Sequence, residues 1–141
     1  MTMTTPQGRN GPAVPADDAG LSSPIPLSLM LALDQASAHA RSLEPLPALL
    51  CGDGLPWLRA EMRFAQEIPR LIAAVVADRS GPHGLFWCRL LAKIHAYGME
   101  SLLDRLAGDG HQALQRAAAQ AWDVANALDA AADDLRSGGA V

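Results

Sequence analysis

Apolar residues recur along most of this chain at alternating steps of three and four, the spacing that gathers them on one face of an α-helix. The first such stretch runs from Ser28 to Ser42, with Leu29, Leu33, Ala36, Ala40 and Leu43 in register. A second starts near Pro56, a residue suited to a first helical turn, and reaches about Asp78. Its rows Leu58, Met62, Ala65, Ile72, Val76 and Trp57, Phe64, Ile68, Leu71, Val75 merge into one broad apolar face opposite Arg59, Arg63, Gln66, Glu67 and Arg70. Pro69 lies within it, lacks a backbone donor, and predicts a kink. A third helix is expected from about Gly84 to Ala107. A fourth is expected from His111 to about Arg136, where Leu114, Ala118, Ala121, Ala125, Leu128, Ala132 and Leu135 form a seam of mostly small side chains.

Proline and glycine supply the punctuation between these stretches: Pro45 and Pro47, then Cys51–Gly52–Asp53–Gly54, then Arg79–Ser80–Gly81–Pro82, then Gly108–Asp109–Gly110. Short turns between long helices make antiparallel neighbours. The pattern therefore predicts an all-α domain over residues 26–138, an up-and-down antiparallel four-helix bundle. Residues 1–25 carry Pro6, Pro12, Pro15 and Pro24, no aromatic residue and little to bury, and are expected to form a disordered leader. No repeat or long run of charge breaks the pattern.

Composition narrows the function classes. Among 141 residues half are hydrophobic but only 4% aromatic, so the core is built mainly of alanine and leucine, strong helix formers. A net charge of −4 argues against a face that neutralises a phosphate backbone, which makes nucleic acid an unlikely partner. The longest apolar run, Leu71 to Ala77, falls far short of the roughly 20 residues of a membrane span. Cys51 and Cys88 lack CxxC spacing, and no secretory signal opens the chain, so reduced thiols in a cytoplasm are expected.

The third helix holds most of the candidate chemistry. At about 100° per residue, Cys88, Leu91, His95, Met99, Leu102 and Leu106 fall on one stripe. His95 and Met99, one turn apart, are candidate ligands for a metal or haem, whereas Cys88 lies about 10 Å from His95 along the axis and cannot share their ion. A transition metal asks for three or more protein ligands, and no HxxxH, CxxC or ExxH motif supplies the rest, so no cofactor is predicted. A satisfied core histidine beside ordinary core fillers accounts for the same residues. Glu61 lies in the apolar sector of the second helix and is the natural partner for His95, though its place in the early turns also suits the helix dipole at a solvated bundle end.

The five-residue interval between Arg89 and His95, with Tyr97 following, resembles the arginine–histidine signature of the HEPN helical-bundle ribonucleases, and that resemblance implies RNA cleavage by Arg89 and His95. Leu90 stands where that family usually has a polar residue, and the two side chains are about 120° apart on an ideal helix. A histidine phosphotransfer module is excluded, because His95 points along the apolar stripe and Lys93 precedes it. GxxxxGK[ST], GxSxG and GxGxxG motifs do not occur.

Phe86, Leu90, Ile94 and Tyr97 form a second apolar row on the far side of the third helix from His95, and a helix apolar on two sides must be covered twice. The function expected is therefore non-catalytic: an accessory or regulatory bundle that works through protein contacts, with this row as its interface and a homodimer or docked protein as its partner. The alternative is a bundle with an internal site centred on His95, assisted by Met99 or Glu61.

Overall fold

Among the described residues, 27–78 and 82–140, the computed structural model contains five helices: α1 Leu27–Ser42, α2 Leu46–Leu49, α3 Leu55–Asp78, α4 Pro82–Leu102 and α5 His111–Ala140. The leader expected at residues 1–25 lies outside the described residues. Pro45 and Pro47 end α1, yet they also start the one-turn α2, since proline tolerates a first helical turn where no amide partner is needed. The α3 helix runs on through Pro69.

The four long helices pack as an all-α bundle in which α1 and α4 each lie against both α3 and α5. Ser28 at the start of α1 bonds Asp134 late in α5, whereas Ser42 at its end bonds Gln120, so these two helices are antiparallel. The same holds for α4 and α5, tied by Arg89–Asp129 near one end and by the Tyr97–Trp122 ring pair nearer the other. Two apolar clusters fill the interior. One gathers Leu29, Ile72, Leu85 and Leu128; the other gathers Leu43, Leu58, Met99, Leu102 and Leu114.

The α4 helix stops at Leu102, five residues before the expected end at Ala107. Its C-terminal segment is needed elsewhere. Ala107 exchanges both backbone hydrogen bonds with Cys51, each at 2.9 Å, and that antiparallel bridge requires extended rather than helical residues. On either side of it, Gly54 N donates to Arg105 O at 3.3 Å and Gly110 N donates to Leu49 O at 2.9 Å.

These bonds are reciprocal: position i of one turn meets position j of the other, and j meets i. That is the signature of a twofold relation, here within one chain. The sequence carries it as a repeat offset by 56 positions, correcting the expectation of none. His39-Ala40-x-x-Leu43-Glu44-x-Leu46 answers His95-Ala96-x-x-Met99-Glu100-x-Leu102, and Leu50-x-Gly52-Asp53-Gly54 answers Leu106-x-Gly108-Asp109-Gly110. Burial follows the same offset: Leu29 and Leu85, Ala36 and Ala92, Leu58 and Leu114, Ile68 and Val124, and Ile72 and Leu128 are all buried pairs. The α1–α3 hairpin and the α4–α5 hairpin are two copies of one unit, packed face to face.

Both turns depend on a glycine at positive φ, +130° at Gly52 and +119° at Gly108, where a Cβ would also stand 2.6 Å from Arg105 O and 2.9 Å from Leu49 O respectively. Gly52→Ala and Gly108→Ala should each lower stability by about 1–3 kcal/mol through backbone strain. Urea unfolding monitored by helical circular dichroism checks this; an unchanged midpoint would mean the reciprocal turns do not constrain the bundle.

Candidate functional site

Two histidines are the only buried polar or charged side chains among the described residues: His39 on α1 and His95 on α4, 3% and 1% exposed. They occupy matched positions of the two halves and meet across the bundle. Their Nε2 atoms are 2.8 Å apart, with the rings edge to face at a centroid separation of 5.0 Å. Since an imidazole Nε2 is either donor or acceptor, a bond at this distance holds one proton between the rings.

Each ring is anchored at its other nitrogen by a residue from a different helix. His95 Nδ1 donates to Glu61 Oε1 of α3 at 2.7 Å, and His39 Nδ1 lies 3.2 Å from Gln120 Oε1 of α5. Ser42 Oγ reaches the same Gln120 oxygen at 2.9 Å and the His39 carbonyl at 2.7 Å, which fixes the amide beside the ring. A polar chain therefore crosses an otherwise apolar interior: Gln120, His39, His95, Glu61. Burial pulls the His39 pKa down to about 4; the bond to Gln120 opposes this, and the neighbouring His95 adds to it.

Both ends of the chain approach the surface. On one side a cleft of 170 Å³ is lined by Gln35, Ala38, His39, Gln120 and Asp123. On the other a cleft of 210 Å³ is lined by Trp57, Glu61, Gly98, Ser101 and Arg105. The Glu61 side chain is only 15% exposed and rests on Gly98, where a Cβ would overlap its carboxylate. Glycine within a helix costs about 1 kcal/mol relative to alanine, and here its missing side chain lets the carboxylate reach His95.

The structure brings together only some of the residues that the sequence singles out. His95 and Glu61 are joined directly. Met99 is fully buried in the apolar cluster with Leu43, Leu58 and Leu102. Arg89 turns outward, its Nε 2.9 Å from Asp129 Oδ1, while Lys93 Nζ lies 3.2 Å from the other carboxylate oxygen. Partial burial raises the Asp129 pKa, but the bonds from Arg89 and Lys93 outweigh it and hold the carboxyl below its usual range. Cys88 is buried, and burial pushes its thiol up to about 11, beyond the range of a reactive thiolate. Phe86, Leu90, Ile94 and Tyr97 all face outward, 37% to 64% exposed.

His39 and Gln120 are the site residues that the sequence reading leaves out. The expected register of α1 passes through Leu33 and Ala40, which are only half-buried; the buried stripe is Leu29, Ala32, Ala36, His39 and Leu43, so the register is corrected by one position and takes in His39. The signal that finds it is the 56-residue offset, which sets His39 opposite His95. Among the described residues no group of three or more His, Cys, Asp and Glu side chains is placed to hold a metal ion. No helix among them is long and apolar enough to cross a membrane.

Two outcomes follow from this geometry. Unfolded His39 takes up a proton below about pH 6.5 whereas the folded ring resists until about pH 4, so the stability it confers is complete above pH 6.5 and lost as pH falls toward 4. The loss should approach ~3 kcal/mol, read as a fall in urea midpoint that is flattened in His39→Gln. Gly98→Ala should push Glu61 off His95, losing about 1.5–3 kcal/mol, the worth of a hydrogen bond to a charged group, and regaining about 1 kcal/mol of helix propensity, a net loss of about 0.5–2 kcal/mol. A thermal melt equal to wild type, with the His95 Nδ1 proton still downfield in the NMR spectrum, would contradict it.

Comparison of the chain with protein-family models, with curated proteins and with solved structures gives no match.

Proposed function

We propose that this protein is a non-catalytic accessory or regulatory module that works through protein contacts, and that the outer face of α4 is its contact surface. The observation that carries this reading is an internal control supplied by the repeat. Because the two halves bury matched positions, any outer residue that the bundle itself required should recur 56 positions away. At the helix starts it does, with Met30 and Leu31 answering Phe86 and Trp87.

Further along, the match fails. Asp34, Ala38 and Arg41 of α1 stand where α4 has Leu90, Ile94 and Tyr97, and all six are exposed. Both sets lie on the solvent side of their helices, so packing shared by the two halves does not call for the apolar set on α4, which answers to something outside the bundle. Tyr97 extends the surface onto α5 by packing edge to face on Trp122 at 4.8 Å, and Phe86, Arg89, Leu90 and Lys93 line a cleft of 150 Å³ beside it. Aromatic residues and arginine at such a centre are the usual anchors of protein interfaces.

Self-association is the simplest form of this proposal. Sedimentation across a dilution series should show an oligomer whose dissociation constant rises at least tenfold, a change of about 1.4 kcal/mol, in Leu90→Asp and Ile94→Asp. The matched substitution Ala38→Asp on α1 should leave it unchanged. A monomer at every concentration removes self-association, and equal effects of Ala38→Asp and Ile94→Asp remove the α4 face.

A further inference from the structure

We infer that His39 and His95 form a two-coordinate site for one soft monovalent cation, Cu(I) or Ag(I), held between their Nε2 atoms. This inference is independent of the outer face of α4. It starts from the direction of the lone pairs. In the tautomers in which His95 Nδ1 donates to Glu61 Oε1 and His39 Nδ1 donates to Gln120 Oε1, both outer nitrogens carry protons and both Nε2 lone pairs point into one gap. Histidines that ligate a metal are oriented in this way, the far nitrogen donating to a carboxylate or an amide oxygen.

Two facing lone pairs need a positive charge between them. A proton fills the gap at 2.8 Å. A cation of the same charge can replace it without altering the electrostatics of the interior, where Glu61 supplies the balancing negative charge. The exchange is balanced: two Nε2–metal bonds form, the inter-ring proton leaves to water, and the metal stays in the +1 state. A divalent ion would leave an unbalanced charge among side chains only 1% to 3% exposed. Tetrahedral zinc and oxygen-rich calcium or magnesium sites need more ligands than the described residues gather here. Imidazole suits copper, and two ligands with no third His, Cys, Asp or Glu among the described residues placed to join them suit a soft monovalent ion.

The site has a route from the surface, and occupancy requires the rings to separate. Two metal–imidazole bonds of about 2.0 Å each would widen the gap to about 4 Å. Ala36 and Ala92, one turn before each histidine on the same faces of α1 and α4, are buried alanines, so small side chains flank the pair. The cleft that exposes His39 carries the Asp123 carboxylate at its rim, which draws cations toward it. The repeat adds an independent reason: every other buried matched pair is apolar, and a core that needed only packing could have used leucine at both sites.

The test uses the full chain carrying Cys51→Ser and Cys88→Ala, since thiolates would compete for these ions; alanine is already the matched residue, Ala32, in the first half. Silver nitrate, and Cu(I) supplied anaerobically as its acetonitrile complex, are titrated against a chromophoric chelator. The expected result is one ion per chain, X-ray absorption showing two nitrogen neighbours and no sulfur, and affinity falling as pH is lowered. Glu61→Gln should bind 10- to 100-fold more weakly through the outer shell, and His95→Leu should lose binding. Where a variant fails to fold, the absorption spectrum of the thiol-free protein decides. Absence of binding, sulfur in the first shell, or binding indifferent to both His95→Leu and Glu61→Gln would overturn the inference.

Discussion

Cys51 and Ala107 exchange both of their backbone hydrogen bonds, and residues at matched positions of two copies can do that only where the copies meet on a shared axis. The Gly-Asp-Gly turns on either side depend on this contact. Each places a glycine at positive φ so that its backbone can lie against the carbonyl of the opposite turn, and each then starts the helix that follows. With the two turns locked together, the registers of α3 against α4 and of α1 against α5 are set, because each hairpin has only a short connection over which to slip. The early stop of α4, which its own apolar periodicity does not announce, is a consequence of the same contact.

The axis also explains why two histidines meet inside an alanine-rich core. A lone imidazole at either position would have left a buried ring nitrogen without a partner, which costs about 1–3 kcal/mol. Duplication places the second imidazole opposite the first, and each satisfies the other. The outer nitrogens break the symmetry, since Ala117 and Phe64 stand at the positions matched to Glu61 and Gln120. The two halves thus share a packing plan but differ in charge: a carboxylate at one end of the polar chain and a neutral amide at the other. Such chains carry weak net stability and strong directional preference, so they specify which helices face one another more than they add to the depth of the fold.

The outer surfaces diverged further than the core. Matched interior positions keep size and hydrophobicity to within a methyl group or two, because a packed core transmits any change in volume to its neighbours. On the outside α4 carries Leu90, Ile94 and Tyr97 where α1 carries Asp34, Ala38 and Arg41. Arg89 and Lys93 share the Asp129 carboxylate, which offsets one of their two positive charges, so the apolar row of α4 is framed by a local ion cluster with a net positive charge.

The four long helices, the polar outer face of α3, the seam of α5 from Leu114 to Ala132 and the inward direction of His95 were legible in the sequence, because each depends only on the 3.6-residue period and on proline and glycine punctuation; Leu135, expected in that seam, is 37% exposed. The place of Glu61 beside His95 was half legible: its angular position was clear, but whether it met a ring or water depended on Gly98, a residue on another helix. Gln120, the backbone bridge and the end of α4 were decided by tertiary structure alone, whereas His39 was legible through the repeat. Periodicity describes one helix at a time, whereas those features arise where two distant segments meet. The 56-residue repeat bridges the two levels: it is written in the sequence, yet only the axis that brings its copies face to face gives it a physical meaning.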